Sequence, residues 1–353
     1  MDTFEKAQEV SRRIAENIAK SPVGYRVLTG DRPTGTLHLG HYFGSLANRI
    51  NLQRQGLELF ILVADQQVLT DHENFSQISH FSRELVIDNA SVGLDFTGGR
   101  SFIFPHSQIP ELNQLLVPFL TLVSVAELER NPTTKEEIQS ANLENVSAGM
   151  LVYPVHQACD ILSVNANLVP AGKDQLPHME LSRTIARRFN NKFCPGAGLF
   201  SEPQTLLSDV PVLMGLDGRQ KMSKSRGNAL MLNATRDEIS TALAKAKTDS
   251  EKLITYDPVN RPDVANLLVL ASLLMGRGPE QIARDIGNGG AKALKELLVE
   301  ETDRFLAPIR ERRRELEKNP DLVTKILKIG IERVREEASR TLASVLRAMN
   351  MHI

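Results

Sequence analysis

The spacing of apolar positions changes along the chain. In the first twenty residues apolar side chains recur at three- and four-residue steps, the spacing of one helix face: Phe4, Ala7, Val10, Ile14 and Ile18. Residues 25–30 (YRVLTG) are then a short strand candidate, and 57–65 (LELFILVAD) is a nearly continuous apolar run between turn signals. Such a run is typical of a strand buried on both faces. Between these strands a helix is predicted by Leu39, Phe43, Leu46, Ala47 and Ile50.

The alternation of strands and helices continues to about residue 190. Strands are predicted at 101–105 and within 167–175, and helices near 76–94, at 111–122, near 147–163 and from 175 to about 189. This order predicts an α/β fold with a mostly parallel sheet, whose ligands bind at the carboxyl ends of the strands. After Asn233 only helical patterns remain, which predicts a second, all-helical domain. There, Gly287–Gly290 follows no strand, so we interpret it as a helix C-cap rather than a phosphate loop.

The composition is that of a globular protein. The 353 residues, enough for about two domains, are 41% hydrophobic and 24% charged, with a formal net charge of −1. This balance argues against binding nucleic acid by bulk charge and leaves only a local basic patch for such a partner. The two cysteines, Cys159 and Cys194, form neither a CxxC motif nor a zinc-type cluster. Without a long apolar run or a targeting segment, we expect a soluble, cytoplasmic protein.

The segment 30–45 (GDRPTGTLHLGHYFGS) joins the first predicted strand to the next helix. Its glycines allow the backbone to approach a ligand closely, and a helix start offers free N–H groups and a positive dipole end to phosphate. His38 and His41 lie three residues apart and therefore on one side of that helix start. An ordinary helix entry with incidental histidines, or a metal pair without a third nearby ligand, would give the same pattern.

A second motif, QKMSKSRGN at 220–228, follows the glycine turn LDG at 216–218. Taken alone, a cluster of lysine, serine and glycine is typical of a solvated turn. Together with HLGH after the first strand, it resembles the paired motifs of the class I aminoacyl-tRNA synthetases. Further segments are similar to the bacterial tryptophanyl-tRNA synthetases, in their divergent second type: 126–130 (AELER), 147–162, 168–183, 248–251 (TDSE), and YD and ANLL from Tyr256 and Ala265.

The resemblance covers nearly the whole chain from Tyr25 and implies three parts. These are an N-terminal helical extension at 1–24, a Rossmann catalytic domain at 25–233 with a connective insertion and the KMSKS loop, and a helical anticodon-binding domain at 234–353. The family implies a cytoplasmic homodimer that uses ATP, with Mg²⁺ held by the ATP phosphates, and joins L-tryptophan to its tRNA through tryptophanyl-adenylate. The extension before Tyr25 lies outside the family core; it caps the active site, extends the dimer, or does neither.

Amino-acid activation is an in-line attack by a carboxylate on the α-phosphorus of ATP. Because this nucleophile is already ionised, positioning and charge stabilisation must supply the catalysis. By family position the catalytic residues are His38, His41, Lys221 and Lys224, and the two lysines hold the leaving pyrophosphate. The resemblance assigns ATP-binding roles to Arg32, Thr34, Gly40, Lys135, Asp174, Met222, Ser223 and Ser225.

Substrate choice is expected on the predicted helix that contains YPVHQACD. Its Tyr153, Gln157 and Asp160 are at i, i+4 and i+7 and so face the same way. A carboxylate there can accept an indole N–H, and such a site rejects an analogue without the donor by roughly 10⁴-fold or more, as in the sister tyrosyl enzyme. A capping aspartate and a core tyrosine would give the same pattern. The resemblance adds Leu28, Gln67, Val169, Ala171 and Gln175 as amino-acid-binding residues.

Three positions depart from the usual tryptophanyl pattern. Gln157 stands where methionine is usual, Gln67 where histidine is usual, and Arg32 where glutamine is usual. The spacing Tyr-x-x-x-Gln-x-x-Asp is also the tyrosyl arrangement, because a tyrosine hydroxyl equally needs an acceptor, so Asp160 leaves both substrates open. The whole-chain resemblance favours tryptophan. The alternatives are a tyrosine–tRNA ligase and a noncatalytic synthetase paralogue that binds tRNA or a protein.

Overall fold

A computed structural model describes residues 3–70, 75–140, 146–207, 213–218, 220–224 and 226–351. The strands are β1 (Arg26–Asp31), β2 (Glu58–Val63), β3 (Ser101–Pro105), β4 (Leu168–Ala171) and β5 (Gln204–Leu207). The helices are α1 (Thr3–Lys20), α2 (Leu39–His41), α3 (Ala47–Arg54), α4 (Ile78–Ser91), α5 (Pro110–Leu120), α6 (Val125–Glu129), α7 (Pro132–Ser140), α8 (Ala148–Ser163), α9 (Leu176–Phe193), α10 (Arg236–Ala244), α11 (Pro262–Met275), α12 (Pro279–Ile286), α13 (Gly290–Lys318) and α14 (Pro320–Ala348). A π-helical turn, Tyr42–Leu46, joins α2 to α3.

The five strands form one parallel sheet in the order β3-β2-β1-β4-β5. The strands after β1 in the chain add first on one side of it and then, from β4, on the other, where Val27 is in register with Leu168. In open α/β sheets, ligands bind in the crevice outside the carboxyl ends of the strands at this reversal. The prediction of an α/β fold with a parallel sheet is confirmed.

Helices bury both faces of the sheet. Along β2, Leu59, Ile61 and Val63 belong to one core and Phe60 and Leu62 to the other, because successive side chains of a strand point to opposite faces. The near-continuous apolar run of this strand is therefore explained by burial on both sides.

The predicted elements before residue 190 are confirmed to within a few residues, and three short ones were not predicted: α6, α7 and β5. The four residues of β5 are too few to show a period, and they follow a loop with glycines and prolines. By contrast, α6 begins with a capping box between Ser124 and Glu127, a signal that the sequence does contain.

The described residues after Asn233 are helical apart from loops, as predicted. Gly287 ends α12 with a φ of 52°, which confirms the helix C-cap. The long helix α14 returns to the sheet and packs on β3, where a Cβ added at Gly330 would lie 2.0 Å from the carbonyl oxygen of Ile103. At the opposite edge α1 packs on β5, and Ser11 Oγ accepts a hydrogen bond from the Leu207 N–H. Among the residues described, no helix is both long and apolar enough to span a membrane.

Candidate active site

A cavity of 1060 Å³ opens at the carboxyl ends of β1, β2 and β4. Its volume lies at the upper end of the range for small-molecule sites. Gly30 and Asp31 at the end of β1 and Ala64 after β2 form part of its wall. The predicted site residues in the wall are Leu28, Arg32, His38, Gly40, His41, Gln67, Tyr153, Gln157, Asp160, Val169, Ala171, Asp174, Gln175, Lys221 and Met222.

Four other predicted residues do not line the cavity. Thr34 and Lys135 are exposed, the first in the loop after β1 and the second on α7. We call residues 220–228, which contain KMSKS, the lysine loop. Ser223 and Lys224 directly follow its two wall residues, Lys221 and Met222. Ser225 lies outside the described residues. Of the two predicted catalytic lysines, the one in the wall is therefore Lys221.

Lys224 nevertheless contacts the side of the site that is formed by the loop from β1 to α2, which we call the front of the site. A Cβ added at Gly35 would lie 2.8 Å from Nζ of Lys224, so this ammonium rests on the loop that leads into α2. Nζ also lies 5.2 Å from the ring centre of Phe81, which is cation–π distance. Gly35 itself has a φ of 143°, a conformation that favours glycine.

His38 and His41 lie at the start of α2, directly beyond the carboxyl end of β1. Their ring centres are 3.8 Å apart, and the backbone N–H of His38 donates to Nδ1 of His41 at 3.3 Å. The π-helical turn follows at once, and single π turns are frequent at functional sites.

Both histidines are neutral at pH 7. Burial lowers the pKa of His38 to about 3, and the neighbouring His41 acts in the same direction. Burial also lowers the pKa of His41, although Asp31 opposes that change. Because a neutral imidazole has one donor and one acceptor, the pair offers hydrogen bonds to a ligand rather than positive charge.

The HLGH segment (residues 38–41) and the lysine loop are in direct contact. A Cβ added at Gly40 would lie 2.9 Å from the His38 ring and 3.3 Å from Cβ of Met222, so glycine is what permits this packing. The backbones of 37–39 and 230–232 are joined by two hydrogen bonds of 2.8 and 3.0 Å. The structure therefore brings together two motifs that are about 180 positions apart in sequence.

Asn228 holds the lysine loop in its conformation. This residue is 4% exposed, and its Oδ1 accepts from the Ser223 N–H at 2.8 Å while its Nδ2 donates to Asp217 at 3.1 Å. Gly218 adopts a φ of 66° in the preceding turn. The glycine turn predicted before the motif is thus present and is pinned by a buried side chain.

Two buried ion pairs support the front of the site. Arg49, 1% exposed, donates to Asp31 at 2.6 Å and so ties α3 to the carboxyl end of β1. Asp88 of α4 accepts from the backbone N–H of Leu37 at 2.8 Å and is paired with Arg313 of α13. Burial raises the pKa of Asp88, while Arg313 and the Leu37 N–H limit that rise.

Asp160 stands at the other end of the cavity. It is 3% exposed, and its Oδ2 lies 3.0 Å from Nε2 of His106. Its Oδ1 is buried without a hydrogen-bond partner. Leaving a buried acceptor unpaired costs free energy, so this oxygen is suited to accept a hydrogen bond from a bound ligand.

A hydrogen-bond chain fixes Tyr153, which also lies in the cavity wall. Asn131 Oδ1 accepts from the backbone N–H groups of 133 and 134, so its Nδ2 must donate to Nδ1 of His178. Burial lowers the pKa of His178 to about 4, and the neutral ring therefore carries its proton on Nε2. That proton is donated to the Tyr153 hydroxyl at 2.9 Å, which in turn donates to Glu137 at 2.5 Å.

Several of these supporting residues were not predicted from the sequence. His106 directly follows β3, so its place at the carboxyl end of a strand was a usable signal. Asn228 closes the quoted lysine motif, but a side chain that binds backbone cannot be recognised from its type alone. Arg49 and His178 lie inside helices, and nothing in the local pattern separates them from ordinary helix residues.

Residues 22–307 match the model of the family described as tRNA synthetases class I (W and Y). The chain belongs to this family. Its similar proteins include two described as tryptophan–tRNA ligase. The one from Streptococcus mutans is 42% identical over 342 residues, 92% of this chain and 98% of the relative. The one from Treponema pallidum is 38% identical over 334 residues, 92% of this chain and 97% of the relative.

The chain is also similar to solved structures of this family. Tryptophanyl-tRNA synthetase from Campylobacter jejuni, complexed with ADP and tryptophan, is similar with a TM-score of 0.80 and 27% identity, covering 92% of this chain and 99% of that one. A tyrosyl-tRNA synthetase from Archaeoglobus fulgidus has a TM-score of 0.65 and 20% identity, covering 88% and 100%, a likeness that concerns the fold alone.

Proposed function

We propose that this chain is a tryptophan–tRNA ligase. It joins L-tryptophan to ATP, forming tryptophanyl-adenylate and pyrophosphate, and then transfers tryptophan to tRNA. The observation that carries the proposal is that the HLGH segment, the lysine loop and the helix with Asp160 meet in one cavity at the carboxyl ends of parallel strands. Relatives that are 38% and 42% identical over most of the chain bear this name, which supports tryptophan over tyrosine.

The front of the cavity suits the triphosphate of ATP. The attacking group is the tryptophan carboxylate, which needs no general base, so the site has to align the reactants and stabilise charge that develops on the phosphates. Neutral His38 and His41 supply hydrogen bonds, and Lys221 supplies positive charge. We assign Asp174, which lies in the turn after β4 and in the cavity wall, to accept hydrogen bonds from the ribose hydroxyls.

The other end of the cavity suits tryptophan. Apolar wall residues Leu28 and Val169 offer contact to a flat ring, and Oδ1 of Asp160 offers the acceptor for its N–H. We assign Gln175, which lies in the turn after β4 and in the cavity wall, to bind the substrate amino group.

Mg²⁺ is proposed as the companion of ATP. Within the described residues, the one close cluster of possible metal ligands is His106, His156 and Asp160. A site with two imidazoles is unlike the all-oxygen surroundings that Mg²⁺ prefers. The ion is therefore proposed to be held by phosphate oxygens of ATP, where it would neutralise charge on the leaving pyrophosphate.

The remaining assignments follow from the proposed activity. We assign the extension to 1–24, the catalytic domain to 25–233 and the anticodon-binding domain to 234–353, and we place the protein in the cytoplasm with tRNA. Gln8 of α1 lies in the cavity wall, which favours a capping role for the extension. A homodimer belongs to the same proposal, on the ground of membership of the family.

One assay tests the proposal. ATP–pyrophosphate exchange is measured with tryptophan, with tyrosine and with neither, followed by charging of tRNA. Exchange that depends on tryptophan is expected. Exchange with tyrosine alone would make the chain a tyrosine–tRNA ligase, and the absence of exchange with either amino acid would favour a noncatalytic paralogue.

A further inference from the structure

His106 lies directly behind the substrate acceptor. It begins the 3₁₀ turn His106–Gln108 after β3, is 1% exposed, and is absent from the cavity wall. Its Nε2 lies 3.0 Å from Oδ2 of Asp160, which does line the cavity. The imidazole is therefore within hydrogen-bond distance of one oxygen of the Asp160 carboxylate, and it lies behind Asp160 as seen from the cavity.

A second carboxylate faces the far side of this ring. Nδ1 of His106 is 4.0 Å from Oδ1 of Asp65, at the carboxyl end of β2, and has no hydrogen-bond partner. Asp65 is itself fixed, because it accepts from the Ser107 hydroxyl at 2.5 Å and from the backbone N–H groups of Ser107 and Gln66 at 3.1 and 3.0 Å. The three side chains form a carboxylate–imidazole–carboxylate row that runs from the sheet to the cavity.

The surroundings favour a protonated imidazole. Burial alone would lower the pKa of His106, but Asp160 and then Asp65 outweigh it, and the pKa is raised. The other titratable group facing it is His156 of α8, whose ring centre is 4.8 Å away and whose own pKa is lowered by burial. A cation at His106 keeps the buried Asp160 carboxylate compensated without occupying its second oxygen.

We propose that His106 is a positioning residue for tryptophan recognition: it holds Oδ2 of Asp160 and thereby directs Oδ1 to the indole N–H. The inference rests on the proposed function. It assigns discrimination by the N–H to a pair of residues from two elements, the turn after β3 and α8, rather than to Asp160 alone.

The test compares tryptophan with 3-benzothienylalanine, in which sulfur replaces the indole N–H. His106→Phe keeps a buried ring of similar shape and removes both ring nitrogens. We expect the ratio of kcat/KM for tryptophan to that for the analogue to fall about 10- to 100-fold, because a hydrogen bond to a charged group is lost or misdirected. The variant should show a raised KM for tryptophan, while its KM for ATP should stay within about 3-fold of wild type.

Two variants serve as controls. His106→Gln can still donate an N–H to Asp160, so it should recover most of the tryptophan preference. His156→Gln changes the neighbouring histidine, whose Nε2 is 3.2 Å from Asn113, and should leave the preference unchanged. A preference retained in His106→Phe, or lost equally for both amino acids, would overturn the inference.

The outcome separates the inference from the proposed function. If wild type shows no exchange with tryptophan, the proposed function fails first; if it does and His106→Phe keeps the preference, only the inference fails. Should His106→Phe not fold, ¹⁵N NMR of the wild-type histidines decides. Tryptophan should then shift the His106 ring nitrogens more than 3-benzothienylalanine does, and equal shifts would contradict the proposal.

Discussion

The two ends of the cavity contain histidines in opposite states. At the nucleotide end, His38 and His41 face each other, and burial keeps them neutral. At the end proposed to bind the amino acid, His106 is buried directly behind the wall residue Asp160 and lies between Asp160 and Asp65, which raise its pKa. The same side chain therefore provides hydrogen bonds at one end and a compensating charge at the other.

This difference shows that burial alone keeps a histidine neutral, and that two carboxylates close to the ring can outweigh burial. If the HLGH end binds the triphosphate of ATP, as proposed, an added imidazolium is unnecessary because the lysine loop can supply positive charge. Behind the cavity wall at Asp160, by contrast, the imidazole lies beside a buried carboxyl group, and a buried negative charge needs a partner of opposite sign.

The largest expected effect concerns the charge at the nucleotide end. If the neutral histidines leave charge stabilisation to the lysine loop, Lys221→Ala should lower kcat for ATP–pyrophosphate exchange about 100-fold, or about 3 kcal/mol of transition-state stabilisation. KM for tryptophan should change little. Lys325→Ala, on the exposed face of α14, is the matched control. A loss below about 3-fold in Lys221→Ala would contradict the assignment of charge stabilisation to Lys221.

The second effect is on stability in acid. The folded-state pKa of His38 is about 3 against 6.5 unfolded, so its contribution is present above pH 6.5 and is lost as pH falls towards 3. His38→Asn removes this contribution. As the pH falls from 6.5 to 5, the unfolding free energy of the variant should therefore decrease by about 2 kcal/mol less than that of wild type. His106 has the opposite sign: its contribution is present below pH 6.5 and is lost as pH rises through its raised pKa. Urea unfolding across pH measures both, and parallel curves for wild type and His38→Asn would refute the neutral state.

A third prediction concerns contact between the two motifs. Gly40→Ala places a methyl group 2.9 Å from the His38 ring, so either the ring or Met222 must shift, at about 1–2 kcal/mol. We expect a raised KM for ATP and a lower melting temperature. Gly44→Ala is the matched control, because a Cβ there meets nothing within 4 Å. Equal effects of the two substitutions would show that the packing at Gly40 is unimportant.

The smallest expected effect lies between the two ends. Tyr153→Phe removes the hydroxyl that links His178 to Glu137 and should cost about 1 kcal/mol of unfolding free energy. The amino-acid end should be affected more than the nucleotide end, as a larger rise in KM for tryptophan than in KM for ATP. Tyr256→Phe, in the loop before α11, is the control. If KM for tryptophan and KM for ATP rise together, the hydrogen-bond chain through Tyr153 supports the whole cavity rather than one end of it.

The sequence predicted the parts of this molecule that depend on local pattern. The buried run of β2 and the stripe of α1 come from periodicity, and the HLGH and lysine motifs from residue type and order. It could not predict β5, which has no period, or the state of His106, which is set by Asp160 and Asp65 from two other elements. Charge states of buried groups depend on neighbours that only the fold brings together.

The ion pair between Asp88 and Arg313 limits how far the chain can be shortened. The region that matches the family model ends at residue 307, yet the arginine that compensates Asp88 is at 313. A chain shortened to the matched region would leave a buried acid without its cation beneath the backbone that leads into His38. The smallest unit able to hold the HLGH segment in place therefore extends into the second half of α13.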